Sequence, residues 1–168
     1  MYFFTATINS WQPLLSNDSY KQIIIHSLDW FHTNKRAAIN GFVIMPNHFH
    51  LLWTALGRFK ATENEDALLS FTGHQFGKTL KKCDPVLLEQ YRSLQMDREY
   101  HFWERRPRSI EVKSRNIAFQ KIIYMHDNPL QQHWKLVSKA EEYLFSSARY
   151  YLLNQKTHTF LQHYMDFI

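Results

Sequence analysis

Two histidines, His48 and His50, stand one residue apart within the stretch Phe-Val-Ile-Met-Pro-Asn-His-Phe-His-Leu-Leu-Trp, residues 42–53. The apolar and β-branched residues around them predict a strand, in which residues two apart point to the same face. Two imidazoles placed in this way can share one divalent metal ion. They can equally be two solvent-facing histidines that occur by chance in a chain with ten of them. A third ligand is needed to decide between these interpretations.

A second group of chemical side chains lies in Tyr-Met-His-Asp-Asn-Pro, residues 124–129. If a helix continues this far, Tyr124 and Asn128 lie one turn apart on one face, where a phenol and an amide oxygen can address the same site. A tyrosine can form covalent intermediates where its phenolate is favoured. The alternative is a ring that packs at the rim of the core, with Asn128 as an ordinary helix cap before Pro129. His126 is turned by about 200° from Tyr124 and is predicted to face elsewhere.

Taken together, the segments 42–53 and 124–129 resemble the HUH single-tyrosine transposases, in particular the REP-associated tyrosine transposase-like branch. Three shorter segments, residues 2–5, 102–104 and 142–148, agree with this resemblance. The resemblance implies an enzyme that cuts and rejoins single-stranded DNA near a hairpin through a 5′-phosphotyrosine. It implies Tyr124 as the nucleophile, and His48 and His50 as ligands of Mg²⁺ or Mn²⁺ with Asn128 as the third ligand. Zn²⁺ would also suit the two imidazoles.

The phosphotyrosine conserves the energy of the broken phosphoester bond, so that rejoining needs no ATP. In agreement, the sequence contains no glycine-rich phosphate loop of the Walker type.

The charge of the chain favours an anionic partner. Lys and Arg number 20 against 15 Asp and Glu, which gives a net charge of +5. Basic residues cluster at two places, and each of them can bind phosphate or simply lie in solvent. The predicted DNA-binding residues are Lys78, Lys81, Lys82, Arg105, Arg106 and Arg108.

Composition excludes several classes of protein. With 45% apolar and 16% aromatic residues, 168 residues can close one core, which excludes a disordered chain. No apolar stretch approaches the roughly 18 residues of a membrane helix, and the first residues do not resemble a signal peptide, so we expect a cytoplasmic protein without membrane contact. The single cysteine, Cys83, excludes an internal disulfide and a multi-cysteine zinc site.

The pattern of elements predicts how these residues are positioned. The order is strand, helix, strand, strand, helix, extended segment and helix, with a tight hairpin at Pro46-Asn47. This order favours an α+β fold of one domain, with a central antiparallel sheet of ferredoxin-like or palm-like type and helices mainly on one face. Residues 1–150 would form the domain, and residues 151–168 a helical tail docked on the body or on another subunit. The helix that carries Tyr124 is expected to bury Phe119, Ile122 and Ile123.

Two other functions remain open. The chain can be a catalytically silent module that binds DNA hairpins, or a zinc hydrolase of small molecules, which would need a third strong ligand. A homodimer and a monomer are both plausible, and Tyr124 can serve its own histidine pair or that of a partner.

Overall fold

The computed structural model describes residues 1–93 and 99–168. Within these residues the chain forms four strands and five α-helices, joined by loops and short 3-10 turns. The strands are β1 (Tyr2–Thr7), β2 (Ala37–Ile44), β3 (His48–Ala55) and β4 (Arg108–Glu111), and the helices are α1 (Asp18–Thr33), α2 (Ala61–Cys83), α3 (Pro85–Glu89), α4 (Arg115–Asp127) and α5 (Ala148–Leu153).

The four strands form one sheet in the order β2-β3-β1-β4, and every neighbouring pair is antiparallel. Strands β1 and β2 therefore run parallel to each other with β3 between them, and α1 makes the crossover. This is the split βαβ arrangement of ferredoxin-like folds, and it confirms the α+β fold that the sequence predicted. The histidine pair lies on β3, which is hydrogen-bonded to a neighbour on both sides and is therefore held rigidly.

Helices cover both faces of the sheet. The two longest helices, α1 and α2, pack on the face that carries Phe4, Phe49 and Trp53. Helix α4 packs on the opposite face, against Phe3 and Leu52. Because side chains alternate along a strand, the second face is also the one that carries the histidine pair. The prediction that helices lie mainly on one face holds for the two long helices, and α4 is the element that encloses the site.

Gly41 allows α4 to approach the sheet closely. It follows a β-bulge in β2, and a Cβ atom at this position would lie 2.5 Å from Cδ1 of Ile122 and 2.9 Å from Cε of Met125. Of the residues expected on the inner face of α4, only Ile122 is buried, whereas Phe119 and Ile123 are 53% and 43% exposed. The helix carries apolar residues around most of its circumference, so that packing over Gly41, and not periodicity, sets which side faces inward.

The segment 151–168 is not the helix that the sequence predicted. Helix α5 ends at Leu153, and Asn154 follows in a left-handed conformation with φ 52°. The chain then runs along the outer edge of β2, where Gln162 N donates to Ile39 O at 2.9 Å. Phe160 and Leu161 are buried in the main hydrophobic core. The outer edge of β2 presents backbone N–H and C=O groups that need hydrogen-bond partners. A non-helical segment can pair with them, whereas a helix uses its own backbone groups internally.

None of the helices in the two described ranges is long and apolar enough to cross a membrane.

Candidate active site

A cavity of about 880 Å³ opens between α4 and the sheet face that carries the histidine pair. Its walls come from β1, β3, α4 and the segment before β4. Seven of the residues singled out from the sequence line it together: His48, His50, Tyr124, Asn128, Arg105, Arg106 and Arg108. Tertiary folding thus brings the two predicted catalytic segments and one of the two basic clusters to the same place.

The two imidazole rings lie side by side under α4. Their centroids are 4.9 Å apart, and both side chains are buried. Loss of hydration lowers the pKa of His48 to about 4. Burial, together with the neighbouring His48 and Lys121, lowers the pKa of His50 to about 3. Both rings are therefore neutral at physiological pH, which is the form in which histidine binds a metal ion.

Hydrogen bonds at the Nδ1 atoms fix the orientation of both rings. His48 Nδ1 lies 2.7 Å from Asn47 Oδ1, and Asn47 Nδ2 donates to Trp11 O at 3.3 Å. Because the carbonyl oxygen of Trp11 can only accept, the amide of Asn47 must present its oxygen to His48. Nδ1 of His48 therefore carries the ring proton, and its Nε2 carries the lone pair. On β1, which pairs with β3, Thr5 Oγ1 lies 2.7 Å from His50 Nδ1.

The remaining nitrogen atoms fit a metal site of modest strength. Among residues 1–93 and 99–168, the buried Nε2 of His50 finds no hydrogen-bond partner, and such a buried polar atom is costly unless something else binds it. The side chain of Asn128 contacts the His48 ring closely enough to oppose part of the fall in its pKa. No cluster of three or more His, Cys, Asp or Glu that could hold a metal occurs in residues 1–93 and 99–168. Two imidazoles and one amide oxygen are thus the candidate protein ligands. The remaining coordination positions of a metal ion would be left to substrate and water.

Tyr124 stands directly in front of this pair. Its ring is 51% exposed, and its centroid lies 5.2 Å from that of His50 and 6.1 Å from that of Phe3. Helix α4 continues to Asp127 and is followed by a 3-10 turn, so that Tyr124 and Asn128 do lie one turn apart. Asn128 Nδ2 donates to Tyr124 O at 2.8 Å. Asn128 is therefore both a helix cap and a residue of the cavity.

Lys121 is a residue of the site that the sequence analysis missed. Its Nζ lies 4.8 Å from the ring centre of Phe3 and 5.9 Å from that of Tyr124, and it lines the same cavity. Within the part of the chain that the structure describes, it forms no ion pair. The signal was its spacing, since a residue three positions before Tyr124 shares its helix face.

The predicted DNA-binding residues divide into two groups. The three arginines line the cavity of Tyr124, whereas Lys78 and Lys81 line a neighbouring groove of about 820 Å³ along α2. Arg105 belongs to both walls, so that the two depressions adjoin. Lys82 lines neither of them and is exposed on the surface of α2.

His126 faces away from the cavity, as predicted. It is buried, which lowers its pKa to about 4, and its Nε2 lies 2.9 Å from Ser147 Oγ. Ser147 also accepts from Phe42 N at 3.0 Å. His126 therefore joins α4 to β2 and to the segment that covers its edge, and it takes no part in the site around Tyr124.

The fold is similar to that of a solved tyrosine transposase. A solved structure of a REP-associated tyrosine transposase bound to a REP hairpin superposes with a TM-score of 0.64 at 17% identity, and covers 96% of this chain and 83% of that one. A transposase-like protein from Deinococcus radiodurans matches at 17% identity with a TM-score of 0.49, over 73% of this chain and 87% of that one. No family model matches the sequence, and no curated protein does.

Proposed function

We propose that this protein is a metal-dependent transposase that cleaves and rejoins single-stranded DNA near a hairpin through a 5′-phosphotyrosine. The observation that carries the proposal is the half-exposed Tyr124, whose ring lies 5.2 Å from that of His50 in a cavity rich in arginine. The likeness to the hairpin-bound transposase supports the choice of substrate.

The proposal assigns a chemical role to each of these side chains. Tyr124 Oη attacks the phosphorus of the scissile phosphate, its proton is lost to solvent, and the O3′ atom leaves and is protonated to a 3′-hydroxyl. Rejoining is the reverse, with a 3′-hydroxyl as nucleophile and the phenol as leaving group. Lys121, whose Nζ lies 5.9 Å from the ring centre of Tyr124, would stabilise the negative charge that develops on the phosphate oxygens and on the phenol oxygen. The three arginines hold the flanking phosphates.

His48, His50 and Asn128 would hold Mg²⁺ or Mn²⁺, and Zn²⁺ would also suit the imidazoles. Such an ion polarises and orients a phosphate oxygen when it is bound. The buried Nε2 of His50, which has no hydrogen-bond partner in the described part of the chain, supports this assignment.

The geometry also supports action in cis, because the histidine pair and the tyrosine of one chain already face one cavity. Mixing a Tyr124→Phe chain with a His50→Ala chain would then restore no activity. Recovery of activity in the mixture would show that tyrosine and histidines come from different subunits.

The test of the proposal is a covalent adduct. Single strands that bear a hairpin, taken from the DNA that flanks the gene, are incubated with the protein and Mn²⁺ or Mg²⁺. We expect a protein–DNA species that survives denaturation, is abolished in Tyr124→Phe and persists in Tyr150→Phe, a tyrosine outside the cavity. Salt-sensitive binding of hairpins without any adduct would instead identify a silent hairpin-binding module. Hydrolysis of small molecules that is unaffected by Asn128→Ala would identify a zinc hydrolase.

A further inference from the structure

Trp11 is the most exposed of the large hydrophobic side chains that line the cavity. It belongs to a 3-10 turn after β1, its side chain is 65% exposed, and it lines the same cavity as Tyr124. Trp134 also lines the cavity, but it is half-buried and packs against His48, with ring centroids 6.0 Å apart. The indole of Trp11 thus offers an open apolar face beside the histidine pair.

The backbone that presents this indole is in an unfavourable conformation. Ser10 and Trp11 are consecutive and both left-handed, with φ of 55° and 57°. Residues with a Cβ atom rarely adopt this conformation, and it persists only where contacts with the surrounding structure hold it. Here Ser10 N donates to Glu104 Oε1 at 2.7 Å, and Trp11 N donates to Ile8 O at 2.9 Å. The turn is therefore held in place.

The turn is also joined directly to the histidine pair. The single side chain of Asn47 donates to Trp11 O at 3.3 Å and contacts His48 Nδ1 at 2.7 Å. One amide therefore holds both the ring of a candidate metal ligand and the backbone of Trp11. A strand whose phosphate reaches the histidine pair enters the cavity that Trp11 also lines.

The cavity has the charge that such a strand requires. Arg105 and Arg106 line it together with Trp11, and its one carboxylate among the described lining residues, Glu104, is engaged with Ser10 N. Cationic side chains that follow the phosphates, next to an aromatic face for the bases, are the usual means of binding single strands.

We infer that the indole of Trp11 is a stacking site for one unpaired nucleobase next to the cleaved phosphate. The inference rests on the proposed function and adds a base-binding position to it. Stacking uses the π face that every base has, so the site holds the strand with little preference for sequence.

The test uses a short oligothymidylate that carries the fluorescent base aminopurine at successive positions. We expect quenching at one position in the wild type, loss of that quenching and about ten- to hundredfold weaker binding in Trp11→Ala, and retention of most affinity in Trp11→Phe. Trp30→Ala is the matched control, because Trp30 is 49% exposed but lies outside the cavity. Its binding should equal that of the wild type.

A strand with a single abasic nucleotide tests the same contact without changing the protein. At the quenched position the abasic site should weaken binding to the wild type and have no further effect on Trp11→Ala. Equal losses in both proteins, or full affinity of Trp11→Ala, would overturn the stacking site while the adduct of Tyr124 still supports the proposed function. Absence of both binding and adduct in the wild type would overturn the proposed function itself.

Discussion

The hydrogen bond between Thr5 and His50 is the contact on which the proposed metal site depends most directly. It joins Oγ1 to Nδ1 at 2.7 Å, and the other ring nitrogen has no hydrogen-bond partner among the residues that the structure describes. Thr5→Val keeps the shape of the side chain and removes the hydroxyl. The ring of His50, which is 5% exposed, would then have no hydrogen bond at either nitrogen and could rotate or change its tautomer.

The magnitude follows from two general costs. A buried polar group that loses its partner destabilises the fold by about 1–3 kcal/mol. Loss of the hydrogen bond behind a ligating histidine weakens metal binding about 10–100-fold. Tenfold corresponds to about 1.4 kcal/mol, so the two costs are of similar size.

Two measurements test these values against a matched control. Thr7→Val changes the same residue type two positions along the same strand, on the same cavity wall, opposite His48 in the register. Urea unfolding without metal gives the change in stability, and calorimetric titration with Mn²⁺ gives the change in affinity. We expect a loss in both for Thr5→Val and in neither for Thr7→Val. Equal Mn²⁺ affinity in the two variants would refute the assignment of His50 as a ligand oriented by Thr5.

Three further changes have defined outcomes. Lys121→Met should slow formation of the Tyr124 adduct about 100-fold and lower the salt dependence of DNA binding by only about one phosphate contact; an unchanged rate of cleavage would contradict its role. Gly41→Val should push α4 away from the sheet, destabilise the fold by about 1–3 kcal/mol and reduce adduct yield, whereas Gly73→Ala, whose Cβ meets nothing closer than 3.9 Å, should do neither. Burial lowers the pKa of His126 from its ordinary 6.5 to about 4, so that the unfolded chain binds its proton first as pH falls. The contribution of His126 to the free energy of unfolding is present in full above about pH 6.5 and is lost towards pH 4. The loss between pH 7 and pH 5 is about 2 kcal/mol. His126→Gln should remove that part of the pH dependence in urea melts, and an unchanged slope would show that the ring titrates normally.

The fold was predictable where the sequence has a clear period. The spacing of Tyr20, Ile24, Leu28 and Phe31 predicts α1, whose buried side contains all four. The alternation around His48 and His50 predicts β3 and the face to which the two rings point. A local period in the sequence shows which side of an element is buried. For α1 and β3, packing on the main hydrophobic core determines that side.

Prediction failed for the inner side of α4 and for the C-terminal segment. Helix α4 has apolar residues on several sides, and its orientation follows from the absence of a side chain at Gly41, a residue distant in sequence. Residues 154–163 are not helical, because this segment pairs through its backbone with the edge of β2. Neither cause leaves a local period in the sequence.

The same division applies to the site. The sequence by itself determined the histidine pair, the tyrosine one turn from Asn128, and the basic residues near residue 105, because each depends on spacing within one element. Only the tertiary structure decided that Thr5 and Asn47 hold the two rings, that Lys121 lies over the ring of Phe3, and that Trp11 lines the same cavity. These contacts join residues of different elements, and they exist only after the sheet has paired and α4 has closed over it.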